Sequence, residues 1–166
     1  MRYLKTGIVL LSILYSLSAC AQGKYGIKKI NAFTTERMPG NIPVEMPGEP
    51  VHRGPDTLLI IYVETKGNTA SWDTAWWNNK SYSINASLVS EETLETGIQK
   101  TTGKRITLRK ESGNQLWVLY LEPQEKMATP PVRIKKTEIL LQGKYGTKRV
   151  TQLIRSYTEL EPIPSV

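Results

Sequence analysis

From residue 56 onward the apolar residues recur at every second position or run in short blocks, and no stretch sustains the 3.6-residue spacing of a long amphipathic helix. Leu58–Val63 is apolar on both faces, the pattern of a central strand covered on both sides. Trp72–Trp77 reads as an aromatic-rich strand that turns at Asn78-Asn79. Tyr82, Ile84, Ala86 and Leu88 alternate with Ser81, Ser83, Asn85 and Ser87, as in a half-buried strand. Lys104–Arg109 alternates likewise, with Ile106 and Leu108 inward, and Leu116–Leu121 is again apolar on both faces. Val132–Gln142 and Lys148–Tyr157 are predicted to form a long hairpin across Gly143–Gly146. Only Ser90–Thr96 resembles a helical turn.

About seven short strands at this spacing predict an all-β domain, an antiparallel β-sandwich over residues 56–166. Tryptophans on an early and a later strand suit an immunoglobulin-like core; the paired cysteines of antibody domains are absent, so that likeness is architectural. A small β-barrel is the alternative. Upstream, prolines at 39, 43, 47, 50 and 55 exclude a helix or central strand from residues 38–55, which read as an extended spacer. Residues 20–55 are therefore expected to be anchor, tether and spacer, with one further strand at Tyr25–Phe33.

The N-terminus reads as an address. Arg2 and Lys5 precede the apolar run Gly7–Leu17, too short to span a hydrocarbon core comfortably and followed by small residues, as in a signal peptide covering residues 1–19. Leu17-Ser18-Ala19-Cys20 resembles a bacterial lipobox, in which the cysteine becomes the first mature residue and carries lipid. That resemblance implies export and a membrane partner held through lipidated Cys20. The alternative is cleavage after Ala21, releasing a soluble chain. Acidic residues, which in Bacteroidetes lipoproteins can favour surface display, are missing from Ala21–Lys24. The expected location is thus the cell envelope, at the outer membrane facing the periplasm, with a secreted or surface-exposed protein as the alternative.

One cysteine and one histidine exclude an internal disulfide framework and multi-thiolate or multi-histidine metal sites. The formal net charge is +7, and loss of a leader holding Arg2 and Lys5 leaves +5. These scattered lysines and arginines are read first as solvated strand faces and guards of sheet edges, and no nucleic-acid partner is expected. His52 sits in the proline-rich stretch, Glu91, Glu92 and Glu95 read as a charged turn, and no phosphate loop, nucleophile elbow or HExxH pattern occurs. No catalytic activity, cofactor or metal is expected.

Two features could serve binding. Gln22–Ile30 (QGKYGIKKI) recurs as Gln142–Val150 (QGKYGTKRV), which reads as two strands of one type near each other in a sheet; a sharper alternative is self-association by strand exchange. In Trp72–Lys80, strand alternation places Trp72 and Trp76 on one face and Trp77 on the other. One face would then be core, and Trp72, Trp76, Trp77, Asn78 and Asn79 form the candidate ligand site, suited to carbohydrate because indole stacks on C–H faces while amides bond hydroxyls. Asp56-Thr57-Leu58 and Asp73-Thr74-Ala75 resemble the short O-glycosylation signal of Bacteroidetes envelope proteins, which implies modification at Thr57 and Thr74. The expected function is a non-catalytic binding or structural component of an envelope assembly, with a protein or glycan partner. A carbohydrate-binding module and an inhibitor or immunity lipoprotein are the alternatives.

Overall fold

The computed structural model describes residues 26–37 and 56–162. Within them lie ten strands and no helix: β1 (Ile27–Arg37), β2 (Asp56–Lys66), β3 (Ala70–Trp77), β4 (Lys80–Val89), β5 (Thr93–Ile98), β6 (Arg105–Arg109), β7 (Asn114–Pro123), β8 (Ile139–Tyr145), β9 (Lys148–Ile154) and β10 (Thr158–Glu159). Eight of them form one sheet in the order β10-β1-β2-β7-β4-β3-β8-β9, and β5 and β6 form a separate hairpin. The chain is all-β, as its alternation predicts. Its pairing is one continuous curled sheet plus a hairpin, and two facing sheets of an immunoglobulin-like sandwich are not what the ladder shows. Every pair in the large sheet is antiparallel except the short β1–β10 pair.

The curl follows from chain length. Laid flat, β9 and β10 would stand seven strand spacings apart, about 33 Å. Only Arg155–Tyr157 joins them, a link that reaches about 14 Å when stretched. The edges must therefore approach each other, and the inner face closes on one apolar core. Leu59, Ile61 and Val63 of β2 and Leu119 of β7 meet Ala75 and Trp77 of β3, Leu141 of β8 and Val150 of β9 there. On the outer face Leu116, Val118 and Val89 form a smaller cluster, capped by Leu94 of the β5–β6 hairpin. The far end of that hairpin reaches β10, where Glu161 N–H donates to Ile98 O at 2.8 Å and Lys100 N–H donates to Glu159 O at 2.9 Å.

Several expectations shift. In the segment Ser90–Thr96 the chain bends at Glu92 and then runs as β5 from Thr93, rather than forming a helical turn. The last hairpin is shorter than read: β8 begins at Ile139, residues 124–138 form a loop, and the turn is Gly146-Thr147 between paired Tyr145 and Lys148. A positive φ at Gly146 but not at Thr147 is the signature of a type II′ turn. The β3–β4 turn does lie at Asn78-Asn79, both at positive φ (49° and 60°), as a type I′ hairpin requires. Within the stretch read as tether, Ile27–Arg37 is a sheet strand paired along its length with β2. The leader, Cys20, the proline-rich residues 38–55 and His52 lie outside the described residues.

Candidate functional site

Antiparallel pairing gathers the ends of β1, β3 and β7 and the starts of β2 and β4 at one end of the curled sheet, and the Arg155–Tyr157 crossing passes the same end. An open cleft of about 870 Å3 lies there, lined among others by Thr35, Trp77, Tyr82, Tyr120 and Tyr157. That volume falls within the range of small-ligand sites, roughly 300–1,000 Å3. Trp77 is the floor: it is 9% exposed, meets Tyr157 edge-on (centroids 6.0 Å apart, planes at 88°) and lies tilted beside Tyr82 at 6.4 Å. Half-buried Tyr82 and Tyr157 offer the aromatic surface of the cleft, whereas Tyr120, although it borders the cleft, turns its 50%-exposed ring to the outer face beside Tyr62. Burial pushes the Tyr82 phenol above its ordinary pKa, so it is a neutral hydroxyl at physiological pH.

Charged groups of both signs line the cleft. Lys100 stands 3.6 Å from Glu36, an exposed pair of small energetic worth. Exposed Lys80 has no carboxylate within 4 Å among the described residues, and exposed Asn78 and Glu159 add an amide and a carboxylate. The arrangement can stack a flat or C–H-rich ligand face and hydrogen-bond its polar groups.

The candidate ligand residues part company here. Trp77 and Asn78 line the cleft; Trp72, Trp76 and Asn79 do not. The expected alternation fails because Asp73 is an extra residue in β3: Trp72 pairs with Gly143 and Thr74 with the adjacent Gln142. That bulge moves every later residue of β3 to the opposite face, so Trp72 and Trp77 share the inner core and Trp76 faces outward. Trp76 is nevertheless only 5% exposed, because the loop after β7 covers it. Its indole N–H donates to Ala128 O at 2.8 Å, while Ala128 N–H donates to Oγ of Ser81, the cross-strand neighbour of Trp76, at 2.9 Å. Neither Trp72 nor Trp77 has an indole hydrogen-bond partner among the described residues. All three indoles are buried, so the exposed tryptophan platform expected of this segment is not present.

The cleft residues that local pattern misses are Tyr82, Tyr157 and Lys100. They come from β4, the β9–β10 crossing and the β5–β6 turn, and only the curl of the sheet joins them. Thr57 is exposed on β2 at the cleft, and Thr74 is half-buried within β3. Glu91 and Glu92 are exposed just before β5, whereas Glu95, read with them as a charged turn, lies in β5 and is tied to Arg105 at 2.7 Å.

A second, polar depression of about 530 Å3 lies at the opposite end, around the β6–β7 turn. Beneath it the buried Glu64 carboxylate accepts hydrogen bonds from Glu111 N–H (2.9 Å) and Asn114 Nδ2 (2.6 Å), which shapes that turn. Lys110 spends its ammonium on the carbonyls of Val89 and Ser90, at 3.2 and 2.9 Å. These groups satisfy one another, so the aromatic cleft is the stronger candidate. Compared with protein-family models, curated proteins and solved structures, the chain has no significant match to any of them.

Proposed function

We propose that this chain is an exported, lipid-anchored binding component of a bacterial cell envelope, without catalytic activity, that holds its partner at the aromatic cleft. The observation that carries the reading is the cleft itself: exposed Lys80 and Asn78 beside half-buried Tyr82 and Tyr157, over a floor of Trp77. The N-terminal sequence supports the anchoring half, with a short apolar leader ending at Leu17-Ser18-Ala19-Cys20.

Each half has its own test. Growth with an alkyne-tagged fatty acid is expected to label the full chain and not a Cys20→Ser form; equal labelling of both, or of neither, overturns lipid anchoring. For the cleft, a photo-crosslinking residue placed at Asn78 in intact cells is expected to trap one discrete partner. The same residue at Thr151, exposed on β9, is expected to trap none. Identical adducts from both positions, or none from Asn78, overturn the cleft as the binding site.

A glycan partner is the second reading, favoured by the mix of aromatic rings, an amide and a lysine in one open cleft. Titration with soluble envelope oligosaccharides, followed by amide NMR shifts, is expected to perturb residues 77–82 and Tyr157. Perturbations spread evenly over the sheet would remove that reading.

A further inference from the structure

The end of the sheet opposite the cleft carries the second copy of the repeated segment and the described part of the first, from Gly26 on, and the structure brings them into contact. Gly26 of the first copy packs against the Tyr145 ring of the second, and any side chain at Gly26 would collide with that ring. The Tyr145 hydroxyl donates to Lys66 O, Lys66 N–H donates to Gly26 O at 2.7 Å, and Gly146 N–H donates to Thr69 O at 2.9 Å. The start of β1, the β2–β3 turn and the β8–β9 turn are thus bound into one rigid end.

Residues 26–29, 65–71 and 143–149 at this end hold six basic residues, Lys28, Lys29, Lys66, Lys144, Lys148 and Arg149, and the β6–β7 turn beside them sets Arg109 and Lys110 against the exposed carboxylates of Glu92 and Glu111. All six are exposed. Lys29 has one carboxylate partner, Glu111 at 3.9 Å, and the other five have none within 4 Å among the described residues. Six like charges on a fixed end repel one another unless something anionic faces them. By sequence these lysines are scattered guards of strand edges; the fold collects them at one end of the sheet.

We propose that this end is a docking surface for anionic phospholipid headgroups, which rests on the anchored reading above for its biological setting. The chain enters the sheet at Gly26, six residues after Cys20, a tether of at most about 22 Å. A lipid on Cys20 would hold this end, and not the cleft, against the bilayer. Surface potentials fall off within a Debye length, about 8 Å at physiological salt, so a short tether beside the basic end is what lets those charges act. β1 runs eleven residues from that end to the cleft, about 36 Å, so the cleft would face away from the membrane.

The test uses the chain from residue 20 onward with Cys20→Ser, so that no acyl group contributes. Its sedimentation is compared with vesicles of phosphatidylcholine alone and of phosphatidylcholine with phosphatidylglycerol. Binding only to the anionic vesicles, weakening as salt rises, is expected. A Lys144→Gln/Lys148→Gln/Arg149→Gln variant is expected to lose roughly a hundredfold in partitioning, about fivefold for each basic residue at the surface. A Lys80→Gln/Lys100→Gln variant at the cleft end is expected to partition as the parent does. Thermal unfolding of both variants checks that the fold persists. Equal binding to both vesicle types, no binding to either, or equal losses from the two variants would overturn the proposal. Fatty-acid labelling at Cys20 is a separate readout, so failure of the anchor and failure of the basic surface are distinguishable.

Discussion

Gly143 has no room in the fold for a side chain against neighbouring backbone. It faces the β3 bulge, and a Cβ there would run into the Ser71 carbonyl and crowd the Trp72 Cα. Backbone gives way less readily than a side chain, so Gly143→Ala is expected to destabilise by about 1–3 kcal/mol, measured by denaturant unfolding. The tyrosines supply a pH dependence. Burial and the nearby Tyr120 raise the Tyr62 pKa, and burial raises that of Tyr82. A group whose folded pKa is raised adds stability that is complete below its unfolded pKa and lost as pH climbs through the folded one. Unfolding midpoints are therefore expected to drop above about pH 10, the ordinary tyrosine range. A Tyr62→Phe/Tyr82→Phe form should show a shallower alkaline drop than the parent; matching slopes would contradict this. In both cases the residue type is visible in the sequence, and the neighbour that gives it meaning is not.

Among the elements, β3 shows most clearly where alternation succeeds and where it stops. The strand, its aromatic content and its Asn78-Asn79 turn follow from local chemistry, because a type I′ turn needs two residues tolerant of positive φ. The bulge at Asp73 does not follow, since it depends on how β8 pairs with β3, and one extra residue exchanges the faces of Trp76 and Trp77. The covering of Trp76 is equally non-local: Ala128, fifty-two residues away in sequence, accepts its indole proton. Trp76→Phe keeps one aromatic ring, removes that bond and leaves a void where the second ring sat. It is expected to cost about 1–3 kcal/mol and to speed amide hydrogen exchange at Ala128 and its neighbours, leaving β8 protected. Unchanged exchange in residues 124–138 would show that Ser81 alone holds the loop.

Over the whole molecule, the β9–β10 crossing closes the fold. β10 pairs with β1 and with the β5–β6 hairpin, and Leu160 is buried between them. Truncation after Arg155 removes Tyr157 from Trp77, the strand beside β1 and the Leu160 anchor together. It is expected to abolish cooperative thermal unfolding, as followed by near-ultraviolet circular dichroism; a sharp transition near the parent's would refute the closing role. Residue types and their spacing determined by themselves that the chain is all-β, where most strands and turns fall, and that its leader resembles that of a lipoprotein, because a two-residue period, a turn dipeptide and an apolar leader are local signals. Tertiary structure alone decided that the strands form one curled sheet, that the three tryptophans are buried, and that an aromatic cleft and a basic end lie at opposite poles. Those depend on strand order and register, which bring together residues more than a hundred positions apart and leave no trace in any single window of the chain.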